Sequence, residues 1–229
     1  MCELGLAEQL VGRTGFCVHP KEMLRTIPKV GGTKSVNLKK IRALAPTHVI
    51  VNVDENRKET ADALAEFVPN VVVTHPLGPL DNLALYRQIG NAFGREREAE
   101  ALCVLFGSVL EIVSKKTYQK KSVLYLIWKD PWMTVSRDTY VSRTLGLFGL
   151  HTVPEEAQKR YPELATLEVP GTELVLLSSE PYRFREKHRA ELQTALQKPV
   201  HLIDGEMTSW YGSRAIRGLR YLADFAANL

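Results

Sequence analysis

The chain has 229 residues, of which 45% are hydrophobic and 24% are charged, and its formal net charge is +4. This composition is typical of a globular protein and excludes a disordered or low-complexity chain, and no apolar run reaches the roughly 18 residues that a membrane-spanning helix needs. Its three cysteines, Cys2, Cys17 and Cys103, are far apart and match no metal-binding spacing, so we expect free thiols.

The N-terminal third is basic and begins without a leader pattern. MCELGLAEQLVGR has no basic start followed by an apolar stretch and a cleavage site, so we expect no signal peptide in it. Residues 13–42 contain eight lysines and arginines against one acid, Glu22. Such a surface can attract an anionic ligand or a protein partner, or it can simply be solvated. The aromatic-rich basic sheet of an RNA-binding module is absent, so we expect no nucleic acid partner.

Strand and helix patterns alternate in the first half of the chain. Short β-branched runs at 47–53 and 70–76 flank the helical pattern DENRKETADALAEF, an order that predicts a parallel sheet covered by helices. From 80 to 117 apolar residues recur at helical spacing, with Gly90, Gly94 and Gly107 as weak interruptions. We therefore predict one long helix over 80–118.

The second half repeats the alternating pattern. Strands are predicted at 122–128, 173–179 and 199–204, and helices near 139–148, 185–196 and 213–227. The predicted fold class is α/β, with two Rossmann-like lobes whose central parallel sheets are joined by one long α-helix. The predicted domains are an N-terminal lobe (1–79), the connecting helix (80–118) and a C-terminal lobe (119–229).

In open α/β sheets, ligands bind beyond the carboxyl ends of the strands, so the loops at those ends are the candidate site. Aromatic residues and arginines gather there in the second lobe, including all three tryptophans: Trp128, Trp132, Tyr182, Arg183, Phe184, Trp210, Tyr211 and Arg214. Two interpretations are open. Each ring can pack on its own lobe, or the rings and cations can form a wall for a large ligand that is partly apolar and partly anionic.

Several motifs resemble one family over nearly the whole chain. ELGLAEQLVGRTGFCVHP, IPKVGG and SVNLKKIRALAPTHVIV in the first lobe, and IWKDPWMTVSRDTYVSRTLGLFG, VLLSSEPYRF and DGEMTSWYGSR in the second, resemble the class III periplasmic substrate-binding proteins of ABC transporters. These helical-backbone metal receptors bind cobalamin, ferric siderophores or haem. The resemblance implies a non-enzymatic protein that captures such a ligand in the cleft between the lobes for import by an ABC permease. It also implies a periplasmic or cell-envelope location, with the cytoplasm as the alternative.

The resemblance also assigns candidate ligand contacts. They fall on Phe16 and the turn around Thr33 in the first lobe, and on Trp132 or Met133 and the segment 206–214 in the second. With the loop rings, the candidate set is Phe16, Thr33, Trp128, Trp132, Met133, Arg183, Glu206, Trp210, Tyr211 and Arg214. Rings can lie against a flat macrocycle, and arginines can pair with carboxylate or phosphate groups. Glu206 is either a ligand acceptor or the partner of a nearby arginine.

Three features depart from the family pattern. The chain starts inside the equivalent of the first helix, so we expect the N-terminal lobe to lack its first strand. Lys39 stands where the family carries a glutamate that docks with the permease, and Glu163 or Glu168 is the candidate for the second lobe. Thr33 stands where the cobalamin receptors carry a tryptophan. The expected ligand is an iron siderophore, cobalamin or haem, and no covalently bound cofactor is expected.

Other functions remain as alternatives. The chain has no Gly-x-Ser-x-Gly and no glycine-rich phosphate loop, which argues against hydrolase and nucleotide sites. A metal site could be assembled from His19, His75, His188 and Glu206, because imidazole and carboxylate suit zinc or iron. A chelatase-like tetrapyrrole enzyme would need a histidine and an acid facing each other. A cytoplasmic ligand carrier or sensor without a transport role is the third class.

Overall fold

The structure is a computed structural model that describes residues 1–156 and 158–229. The chain forms two compact units. Unit 1 comprises Met1–His75 and Leu85–Glu100, and unit 2 comprises Pro76–Ala84 and Ala101–Leu229.

Unit 1 contains a two-stranded parallel sheet with short helices. After two 3-10 turns (Cys2–Leu4 and Ala7–Gln9), its elements are α1 (Lys21–Leu24), α2 (Leu38–Leu44), β1 (His48–Asn52), α3 (Lys58–Ala65) and β2 (Asn70–Thr74). The two strands pair in register from His48 with Asn70 to Asn52 with Thr74. One face of this sheet packs on α2 and α3 because apolar residues recur there, and the buried members of that core are Val30, Ile41, Val51, Leu64 and Val68.

The segment predicted as one helix over 80–118 is two helices, so that detail of the prediction is wrong. They are α4 (Asp81–Phe93) and α5 (Glu96–Ser114). Gly94 adopts a left-handed conformation with φ 62°, which ends α4 at little steric cost. Gly90 lets the chain turn tightly, because a Cβ at this position would lie 2.5 Å from the Cβ of Ala99 and 2.9 Å from the carbonyl oxygen of Arg95. Of the three glycines predicted as weak interruptions, Gly90 and Gly94 therefore allow the break, whereas Gly107 lies inside α5.

Unit 2 contains a five-stranded sheet. Its elements in chain order are β3 (Lys121–Trp128), β4 (Met133–Thr134), α6 (Tyr140–Gly146), β5 (Leu150–Thr152), β6 (Leu174–Ser178), α7 (Glu186–Leu196), β7 (Val200–Ile203), α8 (Gly205–Ser209) and α9 (Arg214–Ala227). The order β4-β3-β6-β7 runs across the sheet, and β5 pairs with β3. All pairings are parallel except that of β3 with the short β4.

The parallel strands of unit 2 are covered on both faces, as their continuous apolar runs require. Every residue of β6 is buried. The core beside it contains Leu124, Leu126, Val175, Leu177 and Phe184 among its buried members.

The predicted α/β fold class with parallel sheets is confirmed. The domain boundaries at 79 and 118 stay predictions. Within the part of the chain that the structure describes, no helix combines the length and the apolar character needed to cross a membrane.

Candidate functional site

The candidate site in unit 2 lies at the carboxyl edge of its sheet. The parallel strands β3, β6 and β7 end at Trp128, Ser178 and Ile203, so the loops that follow them emerge at one edge. The second-lobe candidate residues lie on these loops or directly beside them. Met133, for example, pairs with Trp128 across the turn between β3 and β4.

The rings of the turn between β3 and β4 pack largely on unit 2 itself. The indole of Trp132 is parallel to the ring of Phe184, with centroids 6.2 Å apart and planes 3° apart. Phe184 belongs to the buried core, and half-buried Trp132 packs against that core. Trp128 meets Tyr182 edge-on at 5.7 Å and keeps 39% of its surface exposed. Of these two tryptophans, Trp132 therefore fits the packing interpretation and Trp128 remains accessible to a ligand.

A second group, here called the Trp210 cluster, consists of Glu180, Glu206, Trp210 and Arg214. An ion pair joins Arg214 Nη2 to Glu206 Oε2, and the guanidinium lies 5.2 Å from the centroid of the Trp210 ring. The indole nitrogen of Trp210 donates a hydrogen bond to Glu180 Oε2 at 2.8 Å. The cluster thus combines an aromatic face, a cation and two carboxylates. The contact of Glu206 with Arg214 matches the interpretation in which the acid holds the arginine.

Burial raises the pKa of Glu180 above its ordinary value, while the hydrogen bond from the Trp210 indole opposes that rise. The nearby carboxylates of Glu206 and Asp204 also raise this pKa, and Arg214 lowers it. Glu180 therefore takes up a proton more readily than an ordinary glutamate.

The local sequence builds this cluster through a close approach of two loops. Asp204 caps α8 by accepting a hydrogen bond from the backbone nitrogen of Met207 at 3.3 Å. At Gly205, a Cβ would lie 2.5 Å from Ser178 Oγ and 2.7 Å from the backbone nitrogen of Glu180. Only glycine permits α8 to lie so close to the loop after β6. That contact brings Glu180 and Glu206 to the same place.

A buried hydroxyl network lies beneath the cluster. The hydroxyl of fully buried Tyr125 donates to Ser178 Oγ at 3.0 Å and lies 2.6 Å from Thr208 Oγ1. Burial raises the pKa of Tyr125 to about 12, so its hydroxyl keeps its proton. The network ties β3, β6 and α8 together and fixes the base of the site.

The remaining candidates in unit 2 are less closely associated with the Trp210 cluster. Tyr211 packs edge-on against Tyr140, with centroids 5.9 Å apart. The next residue, Gly212, donates its backbone N–H to Asn82 Oδ1 at 2.6 Å, which fixes the chain after Trp210. Arg183 is exposed.

In unit 1 the candidates also lie at a carboxyl edge. Phe16 is 64% exposed, and one edge of its ring lies 3.7 Å from the position that a Cβ on Gly32 would occupy. The carbonyl of Thr33 accepts a hydrogen bond of 2.9 Å from Asn56 Nδ2, in the loop after β1. The structure thus places the predicted turn beside the end of β1 and brings Phe16 to the same turn.

A histidine and an acid meet at this edge of unit 1. His75 Nε2 lies 3.5 Å from Asp54 Oδ1, with His75 just after β2 and Asp54 just after β1. The combination of His19, His75, His188 and Glu206 considered from the sequence is not assembled: over residues 1–156 and 158–229, no three His, Cys, Asp or Glu side chains form a group that could hold a metal ion.

A depression of about 440 Å³ on unit 2 lies away from the carboxyl edge, at the start of β7. Its two cationic side chains already have partners, since Arg189 donates to Glu186 and Lys198 donates to the carbonyl of Thr172. The carbonyl end of α7 also lies there, which disfavours an anion. We do not assign this depression to the site.

Glu180 and Tyr125 were missed as site residues by reasoning from the sequence. A signal for Glu180 was present, because an acid two residues after a buried strand falls at the carboxyl edge. Tyr125 gave no signal, because its position inside an apolar run is typical of core.

The chain matches the family model described as periplasmic binding protein over residues 1–168. No curated protein sequence matches it significantly. Solved structures share its fold. The periplasmic vitamin B12 binding protein of Vibrio cholerae has a TM-score of 0.84 at 14% identity, over 99% of this chain and 91% of that one.

Two haem-binding proteins have the same fold. The periplasmic haem-binding protein of Roseiflexus sp. RS-1 has a TM-score of 0.80 at 18% identity, covering 99% of this chain and 93% of that one. The periplasmic haem-binding protein of Vibrio cholerae has a TM-score of 0.77 at 20% identity, covering 98% and 93%. At these identities the likeness concerns the fold.

Proposed function

The chain belongs to the periplasmic binding protein family, and from this premise we propose that it is a solute-binding protein that captures a bulky metal-bearing ligand for ABC-type import. The proposed ligand is a ferric siderophore, cobalamin or haem. Proteins of the same fold include a vitamin B12 binding protein and a haem-binding protein, and the aromatic and charged residues at the carboxyl edges suit ligands of this size.

The Trp210 cluster is the observation that carries the proposal. It combines a half-buried indole with a guanidinium on its face, at the edge of a parallel sheet where ligands commonly bind. The guanidinium of Arg214 is held beside the ring by its ion pair with Glu206. Trp210 and Arg214 are therefore the proposed principal contacts in unit 2.

The other candidate residues are proposed to contribute less to ligand binding than Trp210 and Arg214. Trp128 and Phe16 are exposed rings that can cover an apolar part of the ligand. Thr33 and Met133 lie beside them at the carboxyl edges, and Tyr211 and Arg183 extend the contact surface. Trp132 supports the turn from within, because it stacks on Phe184.

Quenching of tryptophan fluorescence tests the proposal. The protein is titrated with cyanocobalamin, cobinamide, haem, a ferric hydroxamate and a ferric catecholate. We expect saturable quenching by one of them at about 1 µM or below, a free energy of roughly −8 kcal/mol. Trp210→Phe is expected to abolish most of it. Trp132→Phe is the matched control, since its ring packs on the core and its loss should lower stability more than affinity.

The absence of saturable quenching by all five compounds would contradict the proposed ligand class. Equal loss of binding in both variants would instead contradict the assignment of Trp210 as the contact.

An ABC permease is the proposed protein partner, and the periplasm or cell envelope is the proposed location. Lys39 is exposed in the first turn of α2, at the position where the family carries a docking glutamate. Glu163 and Glu168 are exposed in unit 2. Docking through Lys39 would require an acidic partner surface, and a pull-down with the permease, comparing Lys39→Glu with the natural chain, tests it.

A chelatase-like activity remains a second candidate because of the His75–Asp54 pair at the edge of unit 1. Insertion of Fe²⁺ or Co²⁺ into protoporphyrin, followed by absorbance, tests it directly. We expect no turnover, and turnover that disappears in His75→Ala would favour the enzyme. A carrier or sensor without a transport role would bind a ligand of the panel but would not bind the permease.

A further inference from the structure

Glu180 lies where two separate parts of unit 2 meet. It follows β6 by two residues, and its carboxylate accepts the indole N–H of Trp210, thirty positions along the chain, at 2.8 Å. This bond joins the loop between β6 and α7 to the connection between α8 and α9. Trp210 is half-buried there, and the N–H of a buried indole needs an acceptor, so the bond restricts the rotation of the ring.

The orientation of the indole also determines what lies on its face. Arg214 is placed over the ring at 5.2 Å, and its guanidinium forms an ion pair with Glu206. A change in the plane of the indole would alter the contact between the ring and the guanidinium. The position of the cation therefore depends on the bond between Trp210 and Glu180.

The backbone of Glu180 is itself fixed. Its N–H donates to Ser178 Oγ at 3.2 Å, and Gly205 packs against it at a distance that excludes any side chain. Gly205 donates its own N–H to Ser179 Oγ at 2.9 Å. The backbone that carries this carboxylate is thus held in place. A fixed backbone is needed if the carboxylate is to position another side chain precisely.

We infer that Glu180 is a positioning residue of the ligand site, which fixes the orientation of the Trp210 indole and, through it, of Arg214. The role of the two positioned side chains as ligand contacts rests on the proposed function. The charged groups that act on Glu180 are Asp204 and Glu206 from the start of α8 and Arg214 from the start of α9. A proton taken up by Glu180 changes the charge next to the indole nitrogen while leaving a carbonyl oxygen able to accept its hydrogen bond.

The test uses ¹⁹F NMR of protein labelled with 5-fluorotryptophan. The chain has three tryptophans, and their resonances are assigned with Trp128→Phe, Trp132→Phe and Trp210→Phe. We expect the Trp210 resonance to titrate with a midpoint above the ordinary glutamate value of 4.5. In Glu180→Gln this titration should vanish while the resonance stays sharp, because the amide oxygen still accepts the bond. In Glu180→Ala the resonance should shift and broaden.

Glu156→Gln, a change at an exposed glutamate elsewhere in unit 2, is the matched control and should leave the titration intact. If the Trp210 resonance of Glu180→Gln still titrates like that of the natural chain, the inference is wrong. It is also wrong if Glu180→Ala leaves this resonance unchanged. Glu180→Gln decides the matter even if the alanine variant does not fold.

A binding measurement separates this inference from the proposed function. With haem and cyanocobalamin as probes, Glu180→Ala should weaken the saturable interaction about tenfold or more, and Glu180→Gln should stay within about threefold. If neither probe binds the natural chain, the proposed function loses its support for these two ligands. The NMR titration still decides whether Glu180 orients Trp210.

Discussion

Glu206 and Arg214 show, at the scale of single residues, how neighbouring groups decide which contacts a side chain can make. From the sequence, Arg214 was a candidate for direct contact with a carboxylate or phosphate of a ligand, and Glu206 was either a ligand acceptor or the partner of a nearby arginine. In the structure they form an ion pair, and the guanidinium rests on the Trp210 ring. The pair offers a ligand little net charge. A ligand that needs a full positive charge would have to displace Glu206.

Tyr125→Phe tests the hydroxyl network beneath the site. The substitution removes the hydroxyl that contacts Ser178 and Thr208, and all three residues are buried. We expect a loss of about 1–2 kcal/mol in the free energy of unfolding, measured by urea denaturation. A change of less than about 0.5 kcal/mol, as is usual for a surface substitution, would mean that the network contributes little.

At the scale of elements, α7 illustrates how one side chain can define the start of a helix. Buried His188 accepts the backbone N–H of Arg185 at its Nδ1, with a distance of 2.9 Å. Only a neutral imidazole can accept this bond, and burial lowers the pKa of His188 below its ordinary value of 6.5. The stability that this cap contributes is present above pH 6.5 and is lost as the pH falls through the lowered pKa.

His188→Gln should remove this dependence on pH, because glutamine at the same position can accept the bond without titrating. We expect the stability of the natural chain relative to this variant to decrease from pH 7 toward pH 5, measured by denaturant unfolding at each pH. Glu180 acts in the opposite sense. Because the pKa of Glu180 is raised, its contribution to the free energy of unfolding is present below pH 4.5 and is lost as the pH rises through its pKa in the folded protein. If the free energies of unfolding of the natural chain and of His188→Gln differ by the same amount at every pH, His188 does not titrate in this way.

The break between α4 and α5 is the second feature at this scale. Gly90→Ala would place a Cβ 2.5 Å from that of Ala99 and should destabilise the protein by about 1–3 kcal/mol. Gly94→Ala forces alanine to φ 62° and should cost about 1 kcal/mol. Gly107→Ala is the matched control inside α5, where a Cβ meets nothing within 4 Å, and should stabilise the protein by about 0.5–1 kcal/mol. Thermal melting of the three variants tests this order, which a continuous helix would not produce.

At the scale of the whole molecule, the two units differ in how thoroughly their sheets are buried. All five residues of β6 in unit 2 are buried, whereas in β1 of unit 1 only Val51 and Asn52 are. Strands with few buried contacts open locally at lower free energy than core strands. The difference predicts unequal local stability within one chain.

Hydrogen exchange measured by mass spectrometry tests this difference. We expect peptides that cover β3 and β6 to exchange more slowly than peptides that cover β1 and β2, because their amides are released only by larger openings. Saturation with a ligand of unit 2 should slow exchange at 178–184 and 204–214 in particular. Equal exchange in both sheets would indicate that the units open together.

The sequence by itself determined the alternation of strands and helices, the parallel sheets and the loops that carry the candidate residues. These features follow from local periodicity, since alternating and helical apolar patterns depend only on nearby residues. It also carried the family motifs, and the match over residues 1–168 agrees with them. The assignment of individual contact residues stays a prediction.

Tertiary structure decided which side chains act together. The sequence gives no reason to pair Glu180 with Trp210, or to choose between core and ligand for Trp132, because those contacts join residues 30 and 52 positions apart. It also decided that α4 ends at Phe93, just before Gly94, whereas Gly107 lies inside α5. The physical reason is that a glycine or an indole is compatible with several local environments, and only close packing with distant residues selects one of them.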